Sequence, residues 1–299
     1  MAEGQFFLQT AHGTFLASDE NASLIHIPAT NNDDPRLIKV GYSGTIRLPD
    51  SSPLSAYALK ANYNGYSFSG HGLYLCAAPG HLHVEAARPE AKAWETFYLR
   101  ADCIRDEDRF RRVVHARMAN RKPVLVHCGT GPRILPGFLN VDRFRYNVTT
   151  TGVNSDEIFT FPFADGAWNI PDHSVDYIYH EDFIEHIPQL QQIQFLAETF
   201  RVLKPGSFHR VNTPDLIEAM KVHSHFQQGF DGVYTGEMQW GHVALFSQMA
   251  LKEIAEMVGY SHVVFTTRSH GISPFAVEDT RPWTDRDAIL GNIYADLRK

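Results

Sequence analysis

Two rhythms of apolar and polar positions divide the chain. Residues 5 to about 100 read as short strands, such as Leu24-Ile25-His26-Ile27 and Trp94-Glu95-Thr96-Phe97-Tyr98-Leu99. Turn-forming clusters punctuate them, for instance Asn31-Asn32-Asp33-Asp34-Pro35 and Pro49-Asp50-Ser51-Ser52-Pro53. Helical periodicity is scarce there. It begins in a charged run, where Ile104, Phe110, Val113, Val114 and Met118 recur at helical spacing. From Pro123 onward buried-strand runs alternate with helical patterns, which predicts a mostly parallel sheet covered by helices. The division expected is an all-β domain over 1–101, a connecting helix over 102–120 and an α/β domain over 121–299.

The first part contains an internal echo. Phe7-Leu8-Gln9-Thr10-Ala11-His12-Gly13-Thr14-Phe15-Leu16-Ala17 matches Tyr66-Ser67-Phe68-Ser69-Gly70-His71-Gly72-Leu73-Tyr74-Leu75-Cys76-Ala77, and each copy continues into a further strand. One supersecondary unit used more than once closes a shared core. The pattern of His-Gly-x-aromatic-Leu, a strand, then Trp94-Glu95-x-Phe97-x-Leu99 resembles β-trefoil repeats of the fascin-like kind. That resemblance implies a module that binds a glycan or a protein. The alternative for this segment is a small β-barrel or sandwich in which His12, His71 and Trp94 shape turns and fill the core.

The chemistry is concentrated after Pro123. Pro123-Val124-Leu125-Val126-His127-Cys128-Gly129-Thr130-Gly131 is a buried strand running into a glycine turn, where a backbone can approach a ligand closely. A dinucleotide site prefers a third glycine where Ile134 stands, which disfavours a nicotinamide enzyme. The segment Ile134–Asp142 supplies a second strand ending in an acid, and a carboxylate there can accept hydrogen bonds from both hydroxyls of a ribose. Further on, Phe163-Ala164-Asp165-Gly166 precedes the strand Val175-Asp176-Tyr177-Ile178-Tyr179, which ends in His180-Glu181-Asp182-Phe183-Ile184-Glu185-His186. A helix follows from Pro188, with Leu190, Ile193, Ala197, Phe200 and Leu203 as its apolar stripe.

These segments, together with Leu135-Pro136-Gly137-Phe138-Leu139-Asn140-Val141-Asp142, Arg201-Val202-Leu203-Lys204-Pro205-Gly206 and Thr213-Pro214-Asp215-Leu216, resemble class I S-adenosylmethionine-dependent methyltransferases of the small bacterial type. The match runs from about 122 to 218 and continues weakly through Leu251-x3-Ala255-x3-Gly259-Tyr260. The resemblance implies a Rossmann-like, seven-stranded mixed sheet with one reversed strand, and S-adenosyl-L-methionine as cofactor. It implies that His127, Cys128 and Gly129 meet the cofactor's amino-acid end and that Asp142 holds the ribose. Ala164, Asp165 and Gly166 would meet the adenine, and His180 and Glu181 would line the floor beside the methyl donor. His127 stands where the family usually has glycine. The competing reading is therefore a non-catalytic binding or scaffold protein on a degenerate methyltransferase fold.

For an oxygen acceptor a histidine base is expected, and His186 is the candidate. The two histidines of His180–His186 are six apart, which does not match zinc-binding helices, so no metal is expected there. A formal charge of -7 argues against a general nucleic-acid binder, although Arg105, Arg109, Arg111 and Arg112 form a local basic run. Cys76, Cys103 and Cys128 are odd in number and widely spaced, which fits a reducing compartment rather than a disulfide framework. With no signal-peptide pattern and no long apolar run, a cytoplasmic location is expected. The acceptor is expected to be a small molecule, a glycan or a protein, not a membrane.

Overall fold

The computed structural model of the chain describes residues 4–29, 32–42, 45–48, 52–62, 65–92, 94–100, 105–144, 155–218, 241–268, 270–277, 279 and 291–299. Cys103, Ile104, His223, His225 and Trp240 lie outside them. The chain separates into two compact units. One comprises 1–112, 131–136 and 142–161, and the other 113–130, 137–141 and 162–299.

Before residue 105 the first unit contains, among the described residues, the short strands β1 (Gly4–Gln9), β2 (Phe15–Ser18), β3 (Leu24–Ile27), β4 (Lys39–Tyr42), β5 (Ile46–Arg47), β6 (Ala58–Asn62), β7 (Gly65–Gly70), β8 (Leu73–Cys76), β9 (Glu85–Arg88) and β10 (Tyr98–Arg100). One antiparallel sheet runs β3-β2-β1-β4-β5, with β10 also paired to β1; a second runs β6-β7-β8-β9. Side chains of a strand alternate between its faces. Phe6 and Leu8 accordingly join Leu16, Phe68, Leu75 and Phe97 in a core shared by both sheets. Phe7 faces the other way, into a smaller cluster with Phe15, Ala17 and Ile25. The repeated His-Gly pair lies in the β1–β2 and β7–β8 connections, and Gly13 and Gly72 adopt the same φ of 79°. Only glycine enters that region without steric cost.

Helix α1 (Asp106–Ala119) starts with an internal ion network. The buried Asp106 carboxylate accepts hydrogen bonds from Arg100 Nη1 (3.2 Å), Arg109 Nη2 (3.0 Å) and the Thr160 backbone N–H (2.8 Å). Arg109 also donates to the carbonyls of Asp156 and Ile158 and stacks on Phe159. Arg105 and Arg111 pair with Asp108. Much of the basic run is thus spent on neighbouring carboxylates.

The second architecture is a seven-stranded sheet in the order β13-β12-β11-β14-β15-β17-β16. Its strands are β11 (Leu125–Cys128), β12 (Leu139–Asp142), β13 (Ile158–Thr160), β14 (Val175–Glu181), β15 (Leu203–Pro214), β16 (His262–Phe265) and β17 (Asn292–Arg298). Strand β11 is parallel to β12 and β14, and β14 is parallel to β15, whereas β17 runs antiparallel to both β15 and β16. This is a Rossmann-like mixed sheet in which β17 is reversed against both of its neighbours. No helix among the described residues is long and apolar enough to cross a membrane.

Helix α2 (Gln189–Val202) corrects the sequence expectation in one respect. Its buried face is Gln192, Phe195, Leu196, Glu198, Thr199 and Val202; of the expected stripe Leu203 is buried, Ile193 and Phe200 are half-buried, and Ala197 and Leu190, the latter 68% exposed, face outward. Polar residues occupy the core face because each finds a local partner. Gln192 Nε2 donates to the carbonyls of Ile184 and Ile187, Thr199 Oγ1 to that of Leu196, and Glu198 accepts from the Trp168 N–H. The late sequence motif becomes helix α3 (Gln248–Val258), with Ser247 capping its start and Gly259 its end. A side chain at Gly259 would collide with the Phe200 ring at 2.9 Å.

Candidate active site

The Gly129 turn is built by two features. Strand β11 ends at Cys128, and the Gly129 N–H donates to the Val141 carbonyl at 2.9 Å, which continues the β11–β12 pairing into the turn. Gly129 and Gly131 then take φ values of 62° and 52°, reversing the chain where it leaves the sheet. A Cβ on Gly129 would lie 2.4 Å from the Phe183 ring, so the glycine is required by an aromatic neighbour. Phe183 is held in that position by the chain before it. Asp182, a non-glycine residue, adopts φ 44° directly after β14, and its N–H donates to the Asn212 carbonyl at 3.0 Å. Phe163 lies 4.9 Å from Phe183 and Phe195 lies 5.2 Å from it, ring centre to ring centre.

The sequence candidates divide by position. His127 is fully buried within β11, its Nδ1 3.2 Å from Asn140 Oδ1 on β12 and its ring 5.2 Å from Tyr179 on β14. Those contacts lie across the face of the sheet, so the imidazole is held there by its neighbours. His180 is also fully buried, 2.8 Å from His209 and packed between Phe183 and Phe195. A continuous polar chain extends from it. His209 Nδ1 reaches the Tyr260 hydroxyl at 3.2 Å, and that hydroxyl lies 3.0 Å from Thr199 Oγ1. Burial drives the pKa of His180 well below the usual imidazole value and that of His209 to about 3, so both rings are neutral at pH 7.

Five further candidates are two acids that end strands and the turn 164–166 beyond β13. Asp142 closes β12; its Oδ2 accepts from the Gly131 N–H (2.9 Å) and its Oδ1 from the Phe144 N–H (3.1 Å). Burial raises its pKa to about 6 against the opposing pull of those N–H donors. Ala164 is buried, but Asp165 and Gly166 form an exposed turn, where Gln191 donates to Asp165 Oδ1 at 3.1 Å. Glu181 ends β14, and its Oε2 accepts from the Tyr179 hydroxyl at 2.6 Å.

His186 follows in a short 3-10 turn, Ile184–His186. It is exposed, its Nδ1–H donates to the Gly241 carbonyl at 3.2 Å, and its ring lies 4.8 Å from that of His242. Sequence reasoning missed Phe183 and Asp182. A glycine facing an aromatic leaves no local signal, and the strained φ of Asp182 is set by pairing with β15.

Within the second unit the Gly129 turn ends β11 and Glu181 ends the adjacent strand β14. The donor inventory fits S-adenosyl-L-methionine in that a carboxylate oxygen engaged by one N–H can still accept a ribose hydroxyl.

No family model matches the sequence, and no curated protein matches it. Solved structures do resemble the chain. One is a S-adenosylmethionine-dependent methyltransferase from Archaeoglobus fulgidus, at 15% identity over 64% of this chain and 97% of that one, with a TM-score of 0.38. A second, from Thermotoga maritima, has 15% identity over 64% and 91% with a TM-score of 0.40. A third, from Mesorhizobium loti, has 13% identity over 63% and 96% with a TM-score of 0.40.

Proposed function

We propose that the chain is a S-adenosylmethionine-dependent methyltransferase. The observation that carries this reading is the strand order with β17 reversed against its neighbours, combined with Gly129, Asp142 and Glu181 at the carboxyl ends of β11, β12 and β14. In open α/β sheets ligands bind at those ends. When bound, the cofactor supplies a methyl group on a sulfonium that is already activated. Asp142 would accept the ribose hydroxyls, the Ala164–Gly166 backbone and Asp165 would meet the adenine, and Cys128 and Gly129 would border the amino-acid end. Glu181 would face the reacting end with its carboxylate oriented by Tyr179. What remains for the protein is to align an acceptor, a contribution of about 7–11 kcal/mol to lowering the barrier. For an oxygen acceptor His186, exposed and with its Nδ1–H directed to Gly241, would take the proton on Nε2.

The acceptor class we favour is a glycan held by the N-terminal, β-trefoil-like unit. In that unit a cavity of about 440 Å³ is lined by Arg88, Pro89, Glu90, Lys92, Trp94 and Glu95. An indole flanked by charged groups is suited to a sugar face and its hydroxyls or acids. Trp94→Ala should abolish binding on a glycan array and leave cofactor affinity unchanged; unaltered array binding would remove that role.

The second reading, a scaffold with a closed pocket, is favoured by the Phe183 ring lying against Gly129. Calorimetric titration with S-adenosylmethionine decides between the two. Micromolar binding, about -8 kcal/mol, that is lost in Asp142→Ala supports the enzyme. A folded wild-type protein that does not bind supports the scaffold.

A further inference from the structure

We infer that Glu185, His186 and His242 form a binding site for a divalent transition-metal ion. One ligand atom from each lies within 4.8 Å of the others. From the sequence no metal is expected at this turn, because only the histidines of His180–His186 are weighed there; the third ligand, His242, arrives from a distant part of the chain. The contact is built by backbone: the N–H groups of Val243 and Ala244 both donate to the Glu185 carbonyl, at 2.8 and 3.2 Å. This fixes the segment carrying His242 against the turn carrying Glu185 and His186.

The donor geometry suits a cation. Ligand atoms each about 2.0–2.2 Å from an ion are at most about 4.4 Å apart. His242 Nε2 and Glu185 Oε1 are 4.0 Å apart, inside that span. The separations involving His186 stay within 4.8 Å, and its side chain is exposed, so a small rotation contracts them. Surrounding groups already orient the ligands as outer-shell partners do in metal sites. Thr213 Oγ1 donates to Glu185 Oε2 at 2.9 Å, which turns the other carboxylate oxygen toward His242. The His186 Nδ1–H donates to the Gly241 carbonyl, which leaves Nε2 as its lone-pair nitrogen. Glu185 and His242 are buried while His186 is open to solvent, so the ion has an entry path and room for outside ligands.

Two imidazoles and one carboxylate with open positions select zinc, iron(II), cobalt or manganese over magnesium or calcium. In this reading His186 is a metal ligand rather than a base, and an acceptor oxygen can occupy an open position of the ion. The metal-binding claim does not depend on the methyl-transfer reading, because its test needs no cofactor.

The test is titration of tag-free, metal-stripped full-length protein with Co2+ and Zn2+ at pH 7.5. Cobalt absorption in the visible reports coordination, and equilibrium dialysis reports stoichiometry. One ion per chain is expected, with affinity lowered at least tenfold by His186→Ala and by His242→Ala. Because His186 is exposed, its alanine variant should melt at the wild-type temperature without metal, which separates ligand loss from misfolding. Absence of binding by the folded wild type, or equal affinity in His186→Ala, overturns the proposal and reduces the trio to a packing contact between Glu185 and His242.

Discussion

Asp142 is the residue on which the cofactor reading can be tested most directly, because its ionisation and its proposed role are linked. A carboxyl group accepts through both oxygens with full charge only in its ionised form, and burial raises the pKa of Asp142 to about 6. Affinity for S-adenosylmethionine should therefore rise between pH 5 and pH 7 and level off above. Calorimetry at several pH values would show it. Asp142→Asn keeps the shape, loses the charge and should weaken binding about tenfold or more, the equivalent of about 1.5–3 kcal/mol for a hydrogen bond to a charged group. Its affinity should no longer vary with pH in that range; a variant that still tracks pH would assign the titration to another group. Gly129 gives a second test. Gly129→Ala imposes a left-handed φ, costing about 1–2 kcal/mol, and drives a methyl into the Phe183 ring. Combining it with Phe183→Ala should recover the clash but not the backbone cost, a coupling readable by urea denaturation. At this scale Gly129 and Asp142 were legible as a glycine turn and a strand-ending acid. The neighbour that demands the glycine was not, because Phe183 reaches it through a fold-imposed φ at Asp182.

Elements were legible in kind more than in orientation. The strand-helix alternation after Pro123 was plain because apolar runs of strand length differ from helical spacing. The wrong face was expected for α2, since Ile193, Ala197 and Phe200 also recur at that spacing. Gln192 and Thr199 outcompete them because their hydrogen bonds are satisfied inside the core. A similar trade of polarity for pairing governs β15 and β17. Arg210 and Asp296 are direct cross-strand neighbours, both buried, and Arg210 Nη1 lies 3.2 Å from Asp296 Oδ2. The guanidinium also donates to Thr266 Oγ1 and to the carbonyls of Thr267, Arg268 and His270. The Ile272 N–H donates to Asp296 as well. Removing one charge leaves the other buried without its counter-ion. Asp296→Ala should cost about 3–5 kcal/mol, measured as a shifted urea midpoint. A loss below about 1 kcal/mol would mean that the carbonyls around Arg210 suffice without the acid.

For the molecule as a whole, the shifted groups set how stability responds to acid. His180 and His209 are held neutral by burial, His209 down to about 3. A histidine with a lowered folded pKa contributes stability that is present above about pH 6.5 and lost as pH falls toward its folded value. Each can contribute a slope of about 1.4 kcal/mol per pH unit. Asp142 acts with the opposite sign. Its raised pKa contributes stability below about pH 4 that is lost as pH rises through about 6. Between about pH 4 and 6 the acid offsets one histidine, so these three groups together lose about 1.4 kcal/mol per pH unit on acidification. Asp34 and Asp172, lowered by Arg36 and Arg201, add acid sensitivity at still lower pH. A variant reads out the contribution of the His209–His180 pair, because groups remote from it cancel in the difference. His209→Gln is uncharged at all pH values, and its amide can still donate to His180 or accept from Tyr260, its present neighbours. It should be less stable than wild type at pH 7 and should close that gap as pH falls from 6 to 4.5 in urea titrations. A gap that stays constant would mean that His209 takes up its proton in the folded chain as readily as in the unfolded one. The buried chain from His180 to Thr199 would then have to admit water.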